Sequence, residues 1–284
     1  MANASTGWKM KPSRSFVWKS EGRDWEYRAN SNGFRSDHEF DPADLRCRIA
    51  LVGDSYTWGS GAAYEDTFAA LLEKDSHGEW VSWNFGMPGY GVDQVWLSAR
   101  HEALPRHPDL LVVGLVNADF ERSQIPHREG FDKPTFKLDH GKLIRRTQEP
   151  TPPTLMQYLD WESHLWAVWE RSKRWMGTER GLTEYWTLNQ AILDELRQDS
   201  KQASVPVLFV YIPIMSFKPF PAVREYMRRT DANYIDLTLQ QPPPPKSIYL
   251  PHDGHLSPEG HRYVANLIEA WMRDHRALTQ RRDP

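Results

Sequence analysis

Short apolar runs, each closed by small or polar residues and separated by stretches of helical periodicity, constrain this chain more than any other feature. The clearest is Asp109-Leu110-Leu111-Val112-Val113-Gly114-Leu115-Val116. Its nearly continuous apolar character and its valines predict a strand buried on both faces, as in a parallel sheet. Similar runs are Arg48-Ile49-Ala50-Leu51-Val52, Trp80 to Phe85 and Val205 to Ile212, with a weaker one at Tyr234 to Leu237. Between them lie predicted helices: Thr67 to Lys74, a second from Asp93 as N-cap through Leu104, and a third from Thr183 to Ala203. A closing helix is predicted from Pro258 to Arg276, where Val264, Leu267, Ile268, Trp271 and Met272 recur at helical spacing. Strands alternating with helices build βαβ units, and their crossovers are right-handed. The expectation is a three-layer α/β/α sandwich around a central, mainly parallel sheet of about five strands.

Two segments stand outside this alternation in what is otherwise read as a single domain over residues 1–284. Residues 1–46 read as an irregular N-terminal arm with a short hairpin, held to the body by aromatics such as Trp8, Trp18 and Trp25. Its Asn30-Ser31-Asn32-Gly33 stretch is a turn cluster. Residues 121–180 form an insertion too long for an ordinary connection. Within it Tyr158, Leu159, Trp161, Leu165, Trp166, Val168, Trp169 and Trp175 predict an aromatic helix. That helix either packs the insertion onto the body or forms a lid or acyl-pocket wall.

Composition narrows the class of function. The 35 Lys and Arg against 38 Asp and Glu leave a net charge of −3, which argues against a nucleic-acid binder. No stretch approaches the roughly 20 apolar residues of a membrane span. No apolar run follows Lys9, Lys11 and Arg14, so no signal peptide is expected. The single cysteine, Cys47, excludes an intramolecular disulfide and reads as a small hydrophobe ahead of a strand. A reducing, cytoplasmic setting is expected. The 11 histidines form no helical His-x-x-x-His pair, so neither a metal nor another cofactor is expected.

In an open parallel sheet, ligands bind outside the carboxyl ends of the strands. The residues that follow each apolar run are therefore the ones to read. They are Gly53-Asp54-Ser55-Tyr56-Thr57-Trp58-Gly59, then Asn84 to Gly91, then Asn117-Ala118-Asp119, and near the C-terminus Asp253-Gly254-His255 ahead of Ser257-Pro258-Glu259. One rim thus carries a serine, candidate oxyanion donors and an acid–histidine pair. A serine hydroxyl is a weak nucleophile and needs a neighbouring base, for which histidine has the right pKa. A carboxylate on the other ring nitrogen fixes the tautomer and stabilises the imidazolium. A tetrahedral oxyanion needs preorganised donors. The Ser55 N–H at a tight strand-to-helix turn, the Gly89 N–H and the Asn117 amide are the candidates. Asp54 reads as a brace for nearby backbone N–H groups, His261 as a structural residue of the last helix, and His252 as a loop-surface residue.

This conjunction resembles the GDSL or SGNH hydrolase family, more narrowly its bacterial members with a Gly-Phe-Arg element before the first strand, here Asn32-Gly33-Phe34-Arg35. The likeness covers about residues 26–120 and 204–275, outside the insertion. It implies a flavodoxin-like three-layer fold and metal-free cleavage or transfer of acyl groups from small-molecule esters and thioesters. It also implies that Ser55 is the nucleophile, His255 the base, Asp253 its orienting acid and Gly89 an oxyanion donor. Two departures stand out. The acid and histidine are spaced Asp253-x-His255 instead of the commoner Asp-x-x-His. In the third block, matching Asp119 to the family's Asp puts Ala118 where an asparagine belongs. Either a one-residue bulge lets Asn117 serve, or two backbone donors suffice. The expected function is a serine esterase working through an acyl-serine. An acyltransferase using an alcohol or amine acceptor, and a degenerate member that only binds, are the alternatives.

Overall fold

The computed structural model describes residues 1–20, 22–146, 185–214 and 221–276. Its central sheet has five strands: β1 (Cys47–Val52), β2 (Trp80–Asn84), β3 (Leu110–Leu115), β4 (Val207–Tyr211) and β5 (Asn233–Asp236). The spatial order is β2-β1-β3-β4-β5, and every neighbouring pair is parallel. The chain steps outward from β1 to the β2 edge, then crosses back over β1 to β3. That reversal opens a crevice at the carboxyl ends of β1 and β3, the usual ligand position in such sheets.

Successive side chains of a strand point to opposite faces, so a strand covered on both sides must be apolar at every position. One face presents Ile49, Leu51, Leu110, Val112, Leu208 and Val210 to helices α2 (Phe68–Asp75) and α7 (Pro258–Asp274) through Phe68, Leu72, Val264 and Ile268. The other presents Ala50, Val52, Leu111, Val113 and Phe209 to α3 (Val92–Ser98), α5 (185–202) and α6 (Pro221–Arg229). The three-layer α/β/α sandwich expected from the sequence is what the chain forms. Thr67 and Ser257 cap α2 and α7, their hydroxyls accepting from Ala70 N and Gly260 N.

α3 departs from expectation. It starts at Val92 after Gly91, and beyond Ser98 it loosens into a π turn (Ala99–Ala103) and a 3₁₀ turn (Leu104–Arg106). Asp93 is not its N-cap. Its carboxylate is fully buried against the equally buried ammonium of Lys133, a residue of the insertion, while Gln94 Oε1 accepts the Gly91 N–H.

The arm holds two hairpins, Ala2–Asn3 with Gly7–Trp8 and Ser15–Ser20 with Arg23–Arg28. Trp8 and Trp25 are buried, but Trp18 is 59% exposed and does not anchor it. In the Asn30–Gly33 turn, Asn30 Oδ1 accepts from the N–H groups of Asn32 and Phe34. The described part of the insertion, 121–146, forms two small antiparallel pairs, His127–Arg128 with Phe131–Asp132 and Phe136–Asp139 with Lys142–Arg145. The aromatic helix expected over 158–175 lies outside the described residues.

His261 on α7 is wholly buried, and its Nδ1 accepts the Phe68 N–H at 3.3 Å. Burial, reinforced by the charge of Arg35, pushes its pKa down to about 3. An unfolded chain binds that proton below about pH 6.5, so the folded state loses stability as pH falls from there towards the folded value. The slope approaches about 1.4 kcal/mol per pH unit from this one group. Urea unfolding of the wild type and His261→Phe between pH 6.5 and 4.5 should show a slope shallower by nearly one proton in the variant. Equal slopes would refute a buried neutral imidazole. His38 acts oppositely: the Glu73 carboxylate at 3.1 Å holds its pKa up at about 9. Its contribution is therefore present below about pH 6.5 and lost as pH rises through about 9.

Candidate active site

β1 leads through Gly53 and Asp54 into the single-turn helix α1 (Ser55–Trp58). Asp54 caps it, Oδ1 accepting the Tyr56 N–H at 2.9 Å, which is the bracing role expected of it. At the other end Gly59, in the left-handed region at φ +93°, returns its N–H to Ser55 O. This short turn holds Ser55 at the carboxyl end of the sheet.

The loop after β2 is fastened to that turn. Asn84 Nδ2 donates to Thr57 O at 3.0 Å and its Oδ1 accepts the Gly86 N–H, while Met87 N–H donates to Gly53 O. At Gly86 a Cβ would lie 2.6 Å from Trp58 N and 2.9 Å from Thr57 C, both backbone, so the approach requires glycine. The arm clamps the same loop from outside: Trp8 Nε1–H donates to Pro88 O, and the Tyr90 hydroxyl donates to Trp8 O.

The turn before α7 brings in the histidine. His255 Nε2 stands 2.8 Å from Ser55 Oγ, and its Nδ1 stands 2.6 Å from Asp253 Oδ1. The carboxylate accepts only, so Nδ1 carries the ring proton and Nε2 accepts from the Ser55 hydroxyl. The Tyr56 hydroxyl donates to Gly254 O at 2.9 Å and its ring lies 4.9 Å from the imidazole, fixing the histidine turn to α1. Asp253 and His255 remain about a quarter exposed, so this end of the site is open.

Gly89 lies on the loop after β2, in the left-handed region at φ +81°, and Asn117 is the first residue of α4 (Asn117–Arg122), directly beyond β3. Among the described residues neither the Ser55 nor the Gly89 N–H donates to a backbone acceptor. Asn117 is buried at the rim, whereas Ala118 packs against the apolar cluster of the α2 and α7 face. Asp119 accepts the Val116 N–H and pairs with Arg122 at 3.0 Å.

Sequence reasoning missed several residues that hold this rim. Arg122 Nη1 donates to Asp54 Oδ2 at 2.8 Å and to Tyr90 O at 3.1 Å, so one guanidinium ties the residue before Ser55 to α4 and to the glycine loop. Burial and the neighbouring Asp54 charge push the Asp119 carboxyl well above its usual range. Arg35, the last residue of the Gly-Phe-Arg element, is another. It is fully buried, and it donates to Trp58 O at 3.0 Å, Gly59 O at 2.5 Å and Ala62 O at 2.7 Å. Its guanidinium lies 4.5 Å from the Tyr27 ring centroid and 4.9 Å from that of Trp58. The one available signal was position: Asn84 and Arg122 lie within a few residues of strand ends on the same rim.

Among the described residues no group of three or more His, Cys, Asp or Glu side chains is arranged to hold a metal ion, and no helix is long and apolar enough to cross a membrane. The GDSL-like lipase/acylhydrolase family model matches residues 51–263, more than half of the chain. A search of curated proteins finds no match. Similar solved structures include the psychrotrophic esterase EstA from Pseudoalteromonas sp., at 14% identity and TM-score 0.45, covering 80% of this chain and 99% of that one. The lipase/acylhydrolase from Enterococcus faecalis is 15% identical with TM-score 0.45, covering 81% of this chain and 97% of that one. A GDSL-like lipase from Bacteroides thetaiotaomicron is 10% identical with TM-score 0.44, covering 81% and 89% respectively.

Proposed function

The chain belongs to the GDSL-like lipase/acylhydrolase family, and on that premise we propose that it cleaves an ester or thioester through an acyl intermediate on Ser55. The observation that carries this reading is the continuous relay from Ser55 Oγ to His255 Nε2 at 2.8 Å and from His255 Nδ1 to Asp253 Oδ1 at 2.6 Å. His255 takes the serine proton as Oγ attacks the substrate carbonyl carbon, and Asp253 stabilises the imidazolium. Charge that develops on the carbonyl oxygen is met by the N–H groups of Ser55 and Gly89 and by the Asn117 amide. His255 then passes its proton to the departing alkoxide or thiolate, leaving the acyl group on Ser55. Water, giving a proton to His255, attacks the acyl carbon. The tetrahedral adduct collapses to free acid, and the proton returns to Ser55.

The test is intact-protein mass spectrometry after a fluorophosphonate probe. One adduct is expected, located by peptide mapping on Ser55 and slowed at least about a hundredfold in His255→Ala, which lacks the base. No adduct on the folded wild type, or one elsewhere, would overturn the proposal and favour a protein that only binds. Product analysis on an ester with an added alcohol separates the fates of the acyl group: free acid for a hydrolase, a new ester for an acyltransferase.

A further inference from the structure

The oxyanion reading leaves one question of direction. An asparagine amide is nearly symmetric in shape but opposite in hydrogen bonding at its two ends, so Asn117 contributes to an oxyanion only if its NH₂ faces the reacting carbonyl. The sheet order decides which way that is. β3 lies between β1, which delivers Ser55, and β4. The last residue of β4, Tyr211, is paired in register with Leu115, two residues before Asn117. Both side chains are buried, Asn117 at 1% and Tyr211 at 4% exposure, and the Tyr211 hydroxyl donates to Asn117 Oδ1. The accepting end of the amide is therefore held on the β4 side, on the far side of β3 from β1, which delivers Ser55.

We propose that Tyr211 is a positioning residue that locks the Asn117 amide in its oxyanion-donating orientation. The proposal rests on the reading of Ser55 as nucleophile and Asn117 as a donor to the oxyanion. Without the hydroxyl, Oδ1 loses this hydrogen bond, and an amide turned over would present its oxygen to the developing negative charge, where it repels. The sequence carries no local sign of the pairing, because Tyr211 stands 94 residues from Asn117.

The experiment is a double-mutant cycle on a nitrophenyl acetate substrate, using Tyr211→Phe, Asn117→Ala and the double variant. Phenylalanine keeps the ring and its packing and removes only the hydroxyl. Asn117→Ala should lower kcat about a hundredfold or more with little change in KM, as loss of an oxyanion donor does. Tyr211→Phe should lower kcat about tenfold, again with KM nearly unchanged, and the double variant should be no slower than Asn117→Ala alone. A merely structural role would shift KM and kcat together and would add to the Asn117 effect. Wild-type kcat in Tyr211→Phe beside a slow Asn117→Ala overturns the positioning role and leaves the site reading intact. Wild-type kcat in Asn117→Ala removes the donor role and the proposal with it. A double variant slower than Asn117→Ala by the full Tyr211→Phe factor also overturns it. Fluorophosphonate labelling rates, taken at a temperature where all variants are folded by circular dichroism, provide the same cycle independently of substrate binding.

Discussion

Ser55→Ala is expected to lower ester turnover by about 10⁴-fold or more, with a Tm unchanged to within about 2 °C. The reason lies in what the hydroxyl touches. Oγ meets His255 Nε2 at 2.8 Å and Asp54 Oδ2 at 3.4 Å, and both partners keep their other bonds when it is removed. Asp54 still caps Tyr56 and still pairs with Arg122, and His255 still pairs with Asp253. Alanine therefore removes the attacking atom without opening the fold. Initial rates on a nitrophenyl ester series and a thermal melt of the same preparation check both halves. Turnover within tenfold of wild type would sink the acyl-Ser55 mechanism, whatever the melt shows.

Arg35→Met should have the largest effect on stability, a loss of about 3–5 kcal/mol. The guanidinium satisfies the carbonyls of Trp58, Gly59 and Ala62 at the end of the turn that carries Ser55, and all of these contacts are buried. Methionine fills the space between the Tyr27 and Trp58 rings but takes the guanidinium from the Trp58 and Ala62 carbonyls, at about 1–3 kcal/mol for each buried group, while Gly59 O keeps the Ala62 N–H at 3.3 Å. Loss of a desolvated charge offsets part of this. Burial is costly enough to pull the Arg35 pKa down to about 10. Lysine is no substitute, because a point ammonium cannot reproduce a planar fork that spans several acceptors. Urea unfolding of wild type, Arg35→Met and Arg35→Lys measures the difference. A methionine variant within 1 kcal/mol of wild type (about the size of one ordinary mutation) would show that the arm does not brace the turn that carries Ser55.

How much of this was legible beforehand follows from the distance between partners along the chain. The strands were readable because burial on both faces favours unbroken apolar runs, as at Ile49–Val52 of β1 and along β3. The bracing role of Asp54 was readable because its carboxylate reaches an N–H only two residues on. The pairing of Asp253 with His255 is local enough to be proposed from spacing, and Ser55 from its place after an apolar strand. Asp93 shows where such reading fails. It has the chemistry of an N-cap, but the ammonium of Lys133, 40 residues away, takes its carboxylate into the core. Trp18 fails for a related reason: an aromatic in a hairpin anchors only if the body supplies a surface for it.

From the sequence alone came the layered fold and the proposal of a serine, a histidine and an acid at the carboxyl ends of its strands. Each of these depends on backbone preference and side-chain chemistry within a few residues. Tertiary structure alone decided which polar groups are buried together: Arg122 with Asp54 and Asp119, Arg35 with the carbonyls after Ser55, Tyr211 with Asn117. A buried donor must find an acceptor, but nothing in its own neighbourhood says which strand end will supply one. That choice is made only when the sheet order brings distant segments to the same rim.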